Sequence, residues 1–204
     1  MSPRRYASPK REAAAARTRQ RLVRAAVKLL QSRTGLRALS LESVARAAGV
    51  SRLTVYNQFG SRRGLLEAVF DDRASRGGLF RLPQAMANPD PHTGLAHLIE
   101  IFCGFWEFNR RTISAVLSAA GSDALLRDRI RSRSERRREA LSVLVGRLVP
   151  LSEVRPEAAA DLVDVLFALT TFQMFAELAR RGRDAAAVCR LIQGLAEDAV
   201  QGAG

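Results

Sequence analysis

Two glycines cut residues 40–70, SLESVARAAGVSRLTVYNQFGSRRGLLEAVF, into pieces of about two helical turns, and no other feature constrains the fold as tightly. Ser40 is placed to cap a first helix by accepting early backbone amides, and Leu41, Val44, Ala45 and Ala48 share one face before Gly49 stops it. Ser51 opens a second short helix that runs to about Gln58 and ends at Gly60. Ser61 then opens a longer helix carrying Leu65, Leu66, Val69 and Phe70. Two short helices joined by a tight glycine turn make a helix-turn-helix, in which the first braces on a phosphate backbone and the second enters a major groove. The second helix must then be apolar inward and polar outward. Val50, Val55 and Phe59 suit the inner face, leaving Arg52, Thr54, Tyr56 and Asn57 outside.

The charge distribution points the same way. Residues 1–80 hold 17 Lys/Arg against five Asp/Glu, a surplus of 12, whereas the remaining 16 Lys/Arg face 15 Asp/Glu, a surplus of one. Such asymmetry suits a polyanion-binding module joined to a neutral one, with nucleic acid ahead of an anionic membrane surface. No run of about 18 uncharged apolar residues offers a membrane span, and the basic start lacks the apolar stretch of a secretory signal. Cys103 and Cys189 are too few for a disulfide framework or a zinc knuckle, so a cytoplasmic location is expected. Nor is an enzyme expected, since no nucleophile elbow, phosphate loop or paired catalytic carboxylates occur. His92 and His97 do not make a zinc site; no metal or other cofactor is expected.

Apolar residues recur at spacings of three and four throughout, and no alternating strand pattern appears, so the fold is expected to be all-α. Residues 1–14 are expected to form a disordered basic arm, 15–78 a three-helix DNA-binding domain, and 92–202 a helical ligand-binding and dimerisation domain. The glycine- and proline-rich segment 77–94 lies between them. The arm, with Arg4, Arg5 and Lys10, continued by Arg11, Arg17 and Arg19, suits either a phosphate- or minor-groove-gripping element or a solubilising tail. In the C-terminal part, Leu95 to Trp106 and Asn109 to Ala120 read as separate helices, and 156–181 as one helix that is apolar almost all round. With the striped helix at 184–200, that segment suits a four-helix bundle with a second copy. The run RDRIRSRSERRREA reads as a solvated face laced with weak ion pairs rather than a second nucleic-acid patch.

Over residues 40–70 the sequence resembles the TetR/AcrR family of bacterial transcriptional regulators. Ala45, Gly49-Val50-Ser51, Thr54, Tyr56, Phe59 and Leu65-Leu66 carry the match, which extends back through RLVRAAVKLL and the Thr34-Gly35 break. The resemblance implies phosphate contacts from the Thr54 and Tyr56 hydroxyls and from backbone amides placed by Ser40 and Ser51. It implies base reading by Arg52 and Asn57, side chains suited to guanine and adenine edges respectively. Arg62 stands where the family commonly has a lysine, keeping a phosphate contact with altered geometry. Leu53 departs from the small residue often found there, so it either touches a thymine methyl or tilts the helix. The resemblance further implies a homodimer, a palindromic double-stranded DNA operator, and a repressor released by a small effector bound in the C-terminal domain. Phe102, Phe105, Trp106, Phe108, Phe167, Phe172 and Phe175 supply aromatic walls there, with Thr170, Thr171 and Gln173 as polar groups, which favours a hydrophobic, largely uncharged effector. The alternative is a nucleoid-type DNA-binding protein with no effector.

Overall fold

A computed structural model describes residues 9–32, 35, 39–120, 124–149 and 155–203. Helices make up nearly all of it, with no strand among the described residues: α1 (Pro9–Leu30), α2 (Leu41–Ala48), α3 (Arg52–Phe59), α4 (Arg62–Arg76), α5 (Leu82–Met86), α6 (Pro91–Ala120), α7 (Ala124–Leu148), α8 (Pro156–Leu169), α9 (Phe172–Ala179) and α10 (Ala185–Ala203). A 3₁₀ turn, Leu79–Arg81, precedes α5. The chain forms two compact units, one of residues up to Asp72 together with 114–119, the other of Arg73–Ile113 and Ala120 onward. Of the basic arm, residues 1–8 lie outside the described residues, while 9–14 belong to α1.

The first unit closes on a small apolar core. Leu22, Ala26 and Leu30 of α1, Val44 of α2, Val55 of α3 and Leu65 of α4 are all fully buried. Removing such side chains from water stabilises by roughly 1.5–3 kcal/mol each for those of valine and leucine size, which holds helices of only eight residues that would be marginal alone.

The second unit has a larger core drawn from α6, α7, α8, α9 and α10, with Leu98, Leu141, Leu144, Leu166, Phe175 and Val188 fully buried. Two sequence expectations need correction here. Leu95 to Ala120 forms no break at Glu107-Phe108; α6 runs unbroken for 30 residues. Conversely, 156–181 is not one helix: it breaks at Thr170-Thr171, and α8 and α9 meet at a bend of 52°. The break contains neither proline nor glycine. Thr170 ends α8 with its hydroxyl donating to the Leu166 carbonyl at 2.9 Å, and Thr171 caps α9 by accepting from the Met174 amide at 3.1 Å. Threonine side chains that bond the backbone locally compete with the helix ladder, and two in succession end it. Among the described residues no single helix is long and apolar enough to cross a membrane.

Candidate nucleic-acid interface

The geometry of the first unit centres on how α2 and α3 begin and end. Ser40 and Ser43 form a reciprocal capping box: the Ser43 amide donates to Ser40 Oγ at 3.0 Å, and the Ser40 amide donates to Ser43 Oγ at 2.9 Å. Gly49 then takes a left-handed conformation, φ 64°, that an L side chain rarely adopts, and its amide reaches back to the Ala45 and Arg46 carbonyls. The turn is therefore tight enough to start α3 three residues later. Ser51 caps α3 by accepting from the Thr54 amide at 3.1 Å, and Gly60, φ 68°, donates to the Tyr56 carbonyl at its far end.

Within α3, Val55 is the one fully buried side chain, while Val50 before it and Phe59 at its end are half-buried. Arg52, Leu53, Tyr56 and Asn57 are exposed, Leu53 by 65% and Tyr56 by 56%, which leaves a protruding face free of acidic residues. Thr54 sits apart from them: it is half-buried, and its hydroxyl lies 2.9 Å from Ser51 Oγ. A phosphate approaching Thr54 would share an existing hydroxyl pair rather than meet an open donor. Ser40, Leu41, Glu42, Arg52 and Arg62 line an open groove of about 470 Å³ beside this face. Arg62 projects there from α4 while its Nε donates to the Leu39 carbonyl at 3.0 Å, so the side chain also ties α4 to the segment preceding α2.

Arg19 was counted with the basic arm on sequence, yet it braces the protruding helix. Its Nη1 donates to the Gln58 carbonyl at 2.8 Å, and its guanidinium carbon lies 4.6 Å from the Phe59 ring centroid. A cation on the last carbonyls of α3 complements the negative end of the helix dipole. Sequence reasoning missed this because the partners are 39 residues apart. Gly64 is a second residue it passed over. A Cβ there would stand 2.0 Å from the Phe59 carbonyl oxygen, so only glycine lets α4 start this close to the end of α3.

In the second unit the aromatic residues gather as follows. The Trp106 ring lies 4.8 Å from Phe105, 5.8 Å from Phe172 and 6.0 Å from Phe102, and its Nε1 donates to the Thr170 carbonyl at 3.1 Å. Phe175 is fully buried in the core, Phe167 is half-buried, and Phe108 is exposed against Arg73. The hydroxyls of Thr170 and Thr171 serve the helix break described above, and Gln173 is exposed. The arginine-rich stretch of α7 is not wholly a solvated face, contrary to its reading from sequence. Arg138 pairs with Asp164 and approaches Glu135 at 3.9 Å, but Arg137 turns inward against Phe167 and Phe102. Burial, with a smaller contribution from the Arg138 charge, lowers its pKa to about 10, so it remains a cation at neutral pH. The Cys103 thiol is held well above its ordinary value by a hydrogen bond with Cys189 and by burial, which disfavours its thiolate. No cluster of three metal-ligating side chains occurs among the described residues.

The sequence pattern described as "Bacterial regulatory proteins, tetR family" matches residues 22–69, the span from the buried end of α1 to the middle of α4. A 30-residue stretch is 63% identical to the HTH-type transcriptional regulator AlkX of Mycobacterium tuberculosis, covering 15% of this chain and 14% of that relative. Among solved structures, NalD of Pseudomonas aeruginosa, described as the secondary repressor of the MexAB-OprM multidrug efflux pump, superposes with a TM-score of 0.68 at 22% identity, over 91% of this chain and 96% of that one. A TetR-like transcriptional regulator from Rhodococcus sp. RHA1 gives 0.64 at 22% identity over the same shares. A TetR regulator from Haloarcula marismortui gives 0.64 at 15% identity, over 92% of this chain and 98% of its own. At such identities the structures establish a shared fold, and the match to the tetR family of bacterial regulatory proteins is carried by residues 22–69, from α1 into α4.

Proposed function

We propose that the chain is a sequence-specific DNA-binding transcriptional regulator that acts as a homodimer in the cytoplasm, a repressor released from a palindromic operator by a small hydrophobic effector. The observation that carries the proposal is the face of α3: Arg52, Leu53, Tyr56 and Asn57 stand exposed on a helix anchored inward by Val55 and fixed at both ends by Ser51 and Gly60. Such a helix fits a major groove, where Arg can grip guanine O6 and N7 and Asn can grip adenine N6 and N7. Tyr56, Ser51 and Thr54 on the α3 segment, with Ser40 and Arg62 in the adjoining groove, would hold phosphates and fix the register without reading sequence.

One helix of eight residues reads only a few base pairs, so specificity calls for two copies about 34–36 Å apart on a palindrome. Val165 on α8 with Leu191 and Leu195 on α10 are exposed apolar side chains in the second unit, and a second copy would bury them. An effector preferring one of two dimer conformations would change the spacing of the recognition helices and so lower operator affinity.

Selection of bound duplexes from a random DNA library at about physiological salt tests the reading, because affinity depends steeply on salt. An enriched palindrome supports it. Tight binding without enrichment favours the nucleoid-type alternative, and an absence of binding overturns the proposal.

A further inference from the structure

Arg137 is a half-buried cation for which the described residues supply no anionic partner. Its neighbour on α7, Arg138, points at Asp164 and Glu135, whereas the Arg137 guanidinium carbon lies 4.3 Å from the Phe167 centroid and 5.7 Å from that of Phe102. Nη1 donates to the Thr170 carbonyl at 3.1 Å, the same carbonyl that accepts from Trp106. Nε is shielded from solvent and meets no acceptor, and among the described residues no Asp or Glu pairs with this side chain.

Aromatic faces and one carbonyl compensate a guanidinium only in part. Burying a charge without a counter-charge is costly, so such a group either neutralises or is held for an anion. Arginine does not neutralise at physiological pH. Capping α8 at Thr170 accounts for Nη1 alone; it leaves the Nε–Nη2 edge, which is the edge that binds a carboxylate side-on with two parallel hydrogen bonds. The surroundings are apolar and aromatic: Phe102, Trp106, Phe167 and Phe172 lie around this guanidinium and the Thr170 carbonyl it shares with Trp106.

Resting on the effector-regulated reading above, we propose that Arg137 is the anion-binding residue of the effector site, and that the effector is a hydrophobic acid: an aliphatic or aromatic body ending in one carboxylate or similar oxyanion. The body displaces or spreads the rings of Phe102, Trp106 and Phe167, and the acid group takes the Nε–Nη2 edge. This replaces the largely uncharged effector expected from the aromatic inventory, an expectation formed with the run 127–140, Arg137 included, read as a solvated face.

Two probes with the same ring system test it on the full-length chain: 8-anilinonaphthalene-1-sulfonate and the uncharged N-phenyl-1-naphthylamine, titrated by fluorescence, with decanoate and decanol as competitors. The sulfonate should bind about tenfold or more tightly than its uncharged counterpart, the gain expected of hydrogen bonds to a charged group. Decanoate should displace the probe where decanol does not. Arg137→Gln should abolish the preference and leave the uncharged probe within about twofold, and Arg137→Lys should restore part of it. An equal affinity of wild-type chain for both probes, or a preference that survives Arg137→Gln, overturns the assignment. Should Arg137→Gln fail to fold, the wild-type ratio and Arg137→Lys decide alone. Adding decanoate to the operator complex separates this inference from the reading beneath it. Arg137-dependent binding that leaves DNA bound refutes decanoate-type acids as effectors. Release by decanol but not by decanoate keeps regulation and refutes Arg137.

Discussion

Gly64→Ala puts the helix-turn-helix geometry to a quantitative test. The added methyl would sit 2.0 Å from the Phe59 carbonyl oxygen and 3.1 Å from its carbon, so the end of α3 must withdraw from α4 by more than an ångström to reach ordinary contact. The clash is with backbone, which has no rotamer to escape into. Overpacking costs about 1–3 kcal/mol, and this contact belongs at the upper end of that range. Replacing a helical glycine with alanine returns about 0.5–1 kcal/mol. The net expectation is a first unit less stable by about 2 kcal/mol. Gly146→Ala on α7 is the control, because a Cβ there meets nothing within 4 Å and the position is exposed. It should gain about 0.5–1 kcal/mol. Urea unfolding followed by circular dichroism reads both; with a slope of about 2 kcal/mol per molar, Gly64→Ala should lower the midpoint by about 1 M. Hydrogen exchange over residues 40–70 assigns the loss to the first unit. Because α3 moves as a body, DNA affinity should fall alike on all sequences. A Gly64→Ala chain within about 0.5 kcal/mol of wild type, with intact operator affinity, refutes the packing argument and the role given to the α3–α4 junction.

Further outcomes follow from the same geometry. Arg52→Ala should cost about 1–3 kcal/mol of operator binding and relax the preference at one position in each half-site, whereas Tyr56→Phe should weaken all sequences evenly; selection repeated with each variant checks the division. Arg19→Ala should cost about 1 kcal/mol of stability by releasing the Gln58 carbonyl and the Phe59 ring, measured by the same urea titration. Leu195→Glu, on the exposed face of α10, should shift the chain to monomer by light scattering and weaken operator binding while helical content is unchanged.

The parts legible beforehand were those that short-range chemistry dictates. Ser40 and Ser51 stand at helix starts and Gly49 and Gly60 at helix ends because caps and left-handed turns are decided within four residues. The inward placing of Val55 follows from helical period alone. What escaped was decided across distance. Arg19 meets Gln58 and Phe59, and Arg137 meets Phe167 and Thr170, only once α-helices pack, and an arginine-rich run gives no periodic signal of which guanidinium turns inward. The break at Thr170-Thr171 was hidden for another reason: the segment is apolar enough to continue, and only the two hydroxyls bonding the backbone stop it. The unbroken α6 shows the converse, since Leu95 to Trp106 and Asn109 to Ala120 read as separate helices and the backbone makes no end between them.

The slender anchorage of α3 has a consequence for redesign. With Val55 alone wholly committed to the core, and Arg52, Leu53, Tyr56 and Asn57 exposed, most of the helix carries no obligation to the fold. Exposed substitutions away from caps and cores usually change stability by no more than about 0.5 kcal/mol. On the proposed reading, operator choice can therefore be redesigned residue by residue at Arg52, Leu53 and Asn57 while the domain stays folded. Leu53, a large apolar side chain held out in water, is one such position.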